Sequence, residues 1–242
     1  MRVVDAHRVL GPIPMGAVPE SAAELLGDLD MLDIHSAAVT LSWMLFGDPR
    51  SAALYESQRA TELSSNRLIH VPVVIPAVAD SGWPRTVEEI SEAVMVRACP
   101  VRHRFDPLGP TAMGWWRAFA ERETVLALDA EECGLTMIKQ IADAAPRLNI
   151  LMLNPGYREQ RRLAELLPLA NGIHLETGTL VAAGAVEWFA HTVGAHRLVF
   201  GTGAPLRDDA GARFQLDHLD LPEEAVFLIA HGNWDRLTGG QR

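Results

Sequence analysis

The chain has 242 residues, of which 48% are hydrophobic and 21% charged, and its formal net charge is −10. This is the balance of a soluble globular protein, long enough to bury a full core without disulfides. The acid excess and the lack of any Lys/Arg block exclude a nucleic-acid footprint, the two cysteines, Cys99 and Cys133, sit in no CxxC motif, and no apolar run reaches the length of a membrane span.

The chain opens directly on a strand pattern at 2–6, with no charged segment ahead of an apolar one, so the expected location is the cytoplasm. "SAAELLGDLDMLDI" follows, with Ser21 as a candidate N-cap and leucines at helical spacing. A strand is expected at 37–42, a helix over "DPRSAALYESQRATELSS", and strands at 68–75, 93–98 and 125–128. Helical "EECGLTMIKQIADAAPR" leads to a strand at 149–153, helical "REQRRLAELLPLA" to one at 172–176, and helical "LVAAGAVEWFAHTVGA" to one at 197–200. The strands are mostly continuous apolar runs, as expected of strands buried on both faces. Eight β-then-α units, with no linker to split them, predict an α/β protein: a single (β/α)8 TIM barrel over residues 1–242. A doubly wound open sheet is the weaker alternative, because no Gly-rich phosphate loop follows the first strand.

In such a barrel chemistry sits at the C-terminal strand ends. Those ends carry His7 and Val9, Ser42 and Trp43, Arg97 and Cys99, Asp129, Asn154, Thr177, and Thr202 with Gly203. The strings there are "VVDAHRVLGP", "LDMLDIHSAAVTLS", "LALDAEE", "ILMLNPG", "VGAHRLVFGTGAP" and, near the end of the chain, "IAHGNWDRLTG". In this order and spacing they resemble the amidohydrolase superfamily of metal-dependent hydrolases. The particular likeness is to its amidohydrolase-related branch, which includes aminocarboxymuconate-semialdehyde decarboxylase.

The resemblance implies one or two divalent metals. They would be held by a first-strand His-x-His, a histidine on each of strands five and six, and an aspartate on strand eight. The matching positions here are His7, Val9, Asp129, Asn154 and Gly203, so only His7 keeps its ligand. Residues 7 and 9 of one strand share a face, and Val9 has no lone pair to offer. Gly203 removes the carboxylate that would take a proton from a metal-bound water. One imidazole and one carboxylate fall short of the three protein ligands of a catalytic zinc. No metal and no other cofactor is therefore expected. A mixed set of His7, Cys99 and Asp129 is the rebuilt alternative, against which Cys99 reads as a small buried thiol before Pro100.

The other candidates each carry two readings. His7 is either packing or an acid/base with Asp129 as its partner. His103 is either a solvated loop residue or part of an anion clamp with Arg97, Arg102 and Arg104. His35, His174 and His196 fall before or early in strands and read as structural; His191 and His218 read as helix-surface residues. His231 with Trp234 is a candidate subunit contact.

The expected function is an amidohydrolase-like pseudoenzyme that has lost its metal. It would bind a small carboxylate or carbonyl ligand through His7, Arg97, His103, Asp129, Asn154 and Thr202. Alternatively it would bind a partner, either its own copy in a homodimer or a related amidohydrolase with an intact site. The alternatives are a metal-independent hydrolase, lactonase or decarboxylase using the same mouth, and a metal-dependent hydrolase with a rebuilt site.

Overall fold

The computed structural model describes residues 1–14, 19–47, 63, 65–78 and 81–240. Its strands are β1 (Val4–Leu10), β2 (Ser36–Leu41), β3 (Leu68–His70), β4 (Val73–Val74), β5 (Met95–Ala98), β6 (Val125–Asp129), β7 (Ile150–Leu153), β8 (Ile173–Glu176) and β9 (Leu198–Val199). They pair in parallel and in chain order, β1 to β3 in one ladder and β4 to β9 in a second.

β3 and β4 are the two halves of the strand expected at 68–75. Pro72, between them, has no N–H to give. On one side of it Val71 N donates to Val39 O (2.8 Å), and on the other Arg97 N donates to Pro72 O (2.9 Å). The first strand meets the last in the same way. Ala6 N donates to Phe200 O (3.0 Å), Gly203 N to His7 O (2.9 Å) and Val9 N to Ala204 O (2.9 Å). The eight units thus form an α/β barrel, with hydrogen bonds but no continuous ladder at these two seams.

Helices lie between the strands: α1 (Ala22–Met31), α2 (Ser42–Phe46), α3 (Pro110–Arg122), α4 (Ala130–Ala144), α5 (Gln160–Leu166), α6 (Ala185–Phe189), α7 (Asp209–Asp217), α8 (Glu223–Phe227) and α9 (Asn233–Leu237). Ser21 caps α1 as expected: its hydroxyl accepts from Glu24 N, and the Glu24 carboxylate accepts from Ser21 N. Ser42 opens α2 instead of ending a strand. The helix expected over 48–65 falls almost wholly outside the described residues. α3 was not anticipated; its signals are Pro110 in the first turn and Met113, Trp116 and Phe119 buried at helical spacing.

Two apolar layers arise from the period of two along each strand. Val96, Leu126, Leu128, Ile150, Met152 and Leu175 face outward into the helices. Val4, Ala6, Ala38, Met95, Val125, Ala127 and Leu151 fill the barrel, with Trp234 and Leu237 of α9 against them. Trp234 is 1% exposed, so it closes the N-terminal end of the barrel and is not a subunit contact. Its expected companion His231 is turned to Asp235, Nδ1 to Oδ2 at 3.1 Å.

Candidate functional site

The upper end of the barrel is set by an irregularity in β1. Val4 and Ala6 point inward, and simple alternation from them would turn His7 outward. The register to β2 slips between Asp5 and Arg8 by one extra residue. Such a bulge reverses the inward and outward phase of the residues after it. His7 and Val9 now face the barrel mouth, and Arg8 faces out, where it meets Asp5 (2.7 Å) and Asp209 of α7 (2.7 Å). Asp5 is wholly buried and accepts from His7 N, Arg8 Nε, Thr202 N and Thr202 Oγ1. It ties the bulge to the end of the last strand.

At the mouth five residues from five strand ends close a ring, four of its links through side chains alone and one through a backbone N–H. Arg97 Nη1 lies 3.1 Å from His7 Nε2, and Arg97 Nη2 donates to Asp129 Oδ2 at 3.4 Å. Asn154 Nδ2 donates to the same Oδ2 at 2.8 Å. The Asn154 backbone N–H donates to Glu176 Oε2 at 2.8 Å, and Glu176 Oε2 lies 3.4 Å from His7 Nδ1. A guanidinium can only donate. His7 Nε2 is therefore the acceptor, and the imidazole proton sits on Nδ1, toward Glu176. Asn154 holds its place with φ at 47°, a left-handed conformation that Asn adopts more readily than most residues.

The ring joins four of the expected residues: His7, Arg97, Asp129 and Asn154. It corrects their pairing, because Arg97 stands between His7 and Asp129 and the carboxylate against the imidazole is Glu176. Glu176 itself was missed. Its signal was the alternation in "HLET", which puts residues 174 and 176 on the inner face at opposite ends of β8. Asp129 has a second task, accepting from Glu131 N (2.9 Å) as the N-cap of α4.

Other expected site residues lie apart. Thr202 is buried, with its hydroxyl donating to Asp5 and accepting from Ala204 N, so it holds the seam and is not free for a ligand. The anion clamp does not assemble: Arg97 is committed to the ring, while Arg102 donates to Leu45 O (3.1 Å) and lies over the Phe46 ring. His103 is half-buried beside them, and burial lowers its pKa. Val9 and Cys99 pack with Met44, Leu45 and Val73, and Ile13, Trp83 and Leu206 lie against them. This apolar plug fills the β1–β5 side of the mouth. Burial pushes the Cys99 thiol up to about 12, which keeps it protonated and unfit as a thiolate ligand.

The other side of the mouth is open. A cavity of about 630 Å³ lies over the ends of β6 to β9, lined in part by Asn154, Tyr157, Arg158, Thr179, Val181 and Arg207. Arg207 is paired with Glu131, and Arg162 with Glu159. Arg158 makes no ion pair among the described residues; its Nε donates to the Tyr157 hydroxyl at 3.1 Å. The ring borders this cavity through Asn154, whose Oδ1 is buried without a hydrogen-bond partner.

A divalent metal does not fit these residues. The lone pair of His7 and an oxygen of Asp129, the two ligand-type groups the likeness leaves, are both turned to one guanidinium. Nowhere among the described residues do three His, Cys, Asp or Glu side chains come together as a metal-binding group.

No protein-family model and no curated protein matches the chain. Solved structures do. A 2,6-dihydroxybenzoate decarboxylase complexed with 2,6-dihydroxybenzoate superposes with a TM-score of 0.76, at 14% identity over 98% of each chain. A 5-carboxyvanillate decarboxylase from Sphingomonas paucimobilis gives 0.74, at 13% identity over 99% of each. Amidohydrolase 2 from Bifidobacterium longum subsp. infantis gives 0.69, at 15% identity over the whole of both. At such identities the likeness is one of architecture: this chain has a TIM-barrel fold like that of these solved structures.

Proposed function

We propose that this barrel works without a divalent metal and holds a small carboxylated compound in the cavity over β6 to β9, without turning it over. The observation that carries this reading is the Arg97 guanidinium, which engages both His7 Nε2 and Asp129 Oδ2. The positive charge at the centre of the mouth is then a fixed side chain that brings no exchangeable water. Within the cavity Arg158 is the cation without a carboxylate partner among the described residues, suited to a ligand carboxylate. Asn154 Oδ1 is an acceptor in want of a donor, suited to a ligand hydroxyl. Val181, Ala212 and the Tyr157 ring offer apolar surface between them.

The test is calorimetric titration with 2,6-dihydroxybenzoate and benzoate, alongside elemental analysis and an assay for carbon dioxide release. Saturable binding that Arg158→Gln weakens about tenfold, with no product and well under one equivalent of metal, is the expected result. A stoichiometric divalent ion at the strand ends would overturn it. A second reading, a metal-independent hydrolase, lactonase or decarboxylase, draws on Asp129, whose side chain is 14% exposed beside a nearly buried ring. Metal-free turnover that Asp129→Asn abolishes would select that reading.

A further inference from the structure

The N-terminal end of the barrel carries another cavity, of about 350 Å³, lined by Asn149, Asn171, His174, His196, Arg197 and Arg236 with Leu237. Two guanidinium groups and two imidazoles converge there, and the lining contains no carboxylate. In a chain of net charge −10 this is a local reversal of sign. Arg197 is buried and gives its hydrogen bonds to the carbonyl oxygens of Leu167, Ala170 and Ile173. Arg236 donates to His196 O and Asn233 Oδ1. Both charges are therefore solvated by neutral oxygens, and neither is neutralised among the described residues; Arg236 is exposed, but for Arg197 this is unusual, because buried charges are ordinarily paired. His174 is 5% exposed, and its Nδ1 has no hydrogen-bond partner. Burial and the neighbouring cations act in the same direction on the pKa values. Burial first, then Arg197 and Arg236, push His174 down to about 3. Burial and then Arg236 lower Arg197.

We infer that this cavity binds a phosphate-type oxyanion, as inorganic phosphate or as a small phosphomonoester. A tetrahedral oxyanion offers several acceptor oxygens to donors converging from different directions, and guanidinium groups recognise it well. The donors here are Arg236 and His196 at the rim and the side-chain amides of Asn149 and Asn171, with the Arg197 charge behind them. An anion would supply the counter-charge that the lining lacks. The cavity lies at the end of the barrel opposite the mouth, so the inference stands apart from the reading of the mouth.

The experiment titrates the full chain with inorganic phosphate at constant ionic strength. It is followed by calorimetry and by phosphorus NMR line width, with chloride and citrate as competing anions. Two variants accompany it: Arg236→Gln, which removes a rim cation, and Asn171→Asp, which adds a carboxylate at an exposed rim position. Circular dichroism checks that each is folded; Asn171→Asp decides the matter if Arg236→Gln is not. The expected result is saturable phosphate binding that weakens at least tenfold in the folded variants, while titration of the mouth with benzoate is unchanged. Absence of saturable binding, equal effects of chloride at matched ionic strength, equal preference for citrate, or unchanged affinity in both variants would each overturn it.

Discussion

Replacing Arg97 with methionine tests the ring most directly. Methionine keeps an unbranched apolar stem of similar reach and removes every donor. The change deletes the contacts to His7 Nε2 at 3.1 Å and to Asp129 Oδ2 at 3.4 Å. It leaves the Asp129 and Glu176 carboxylates in a ring with no guanidinium. Hydrogen bonds to charged groups contribute about 1.5–3 kcal/mol each, and breaking a buried ion pair costs about 3–5 kcal/mol. The Asp129 contact is long and that side chain is 14% exposed, so solvent relieves part of the loss and the low end applies, about 3 kcal/mol. For a chain of this size the midpoint should fall by roughly 6–12 °C, at about 2–4 °C per kcal/mol. Differential scanning calorimetry at pH 7 reads it. A fall of under about 2 °C, or a rise, would refute the view that Arg97 holds the ring together. A metal arm goes further. Val9→His, Asp129→His, Asn154→His and Gly203→Asp together should raise zinc affinity only when Arg97→Met is added. The guanidinium otherwise keeps His7 Nε2 engaged. Position 203 resists a side chain as well: its φ is +71°, and an added Cβ would lie 3.0 Å from Arg207 Cγ. Tight zinc binding by the four changes with Arg97 in place would show that the guanidinium does not block the site.

Trp234→Ala should cost about 3–5 kcal/mol, the usual range for emptying a buried aromatic site, because the indole packs inside the barrel against strand residues such as Val4 and Met95; urea unfolding measures it, and a loss below about 1 kcal/mol would place the indole outside the core. The acid limb of stability should carry a contribution from His174. Its folded pKa is about 3 against an ordinary value of 6.5, so the unfolded chain takes up a proton that the native state refuses. The stability it contributes is complete above pH 6.5 and is lost as pH falls toward 3, at up to about 1.4 kcal/mol per pH unit. His103, lowered by burial, acts in the same direction. Urea midpoints between about pH 7 and 4.5 should therefore fall, and His174→Gln should flatten the slope; an unchanged slope would remove His174 as the cause.

The barrel was legible in the chain because its signals are local. Runs such as 125–128 and 149–153 are apolar almost throughout, as burial between an inner and an outer layer requires, and Ser21 with Glu24 marks a helix start within one turn. The order of polar strand ends also placed His7, Arg97, Asp129 and Asn154 at one end of the barrel. What touches what there was not local. The ring contacts His7–Arg97 and His7–Glu176 span 90 and 169 positions, and a shift of one residue in any strand turns a side chain to the other face. The bulge between Asp5 and Arg8 is such a shift. It aimed His7 at Arg97 and Glu176, while Asp5 drew Thr202 away from the mouth. The sequence by itself determined the eight strands and four of the five ring residues at their ends, His7, Arg97, Asp129 and Asn154, but not Glu176. Only the tertiary structure decided that an arginine lies between imidazole and carboxylate, because that depends on the registers of strands brought together by the closing of the barrel.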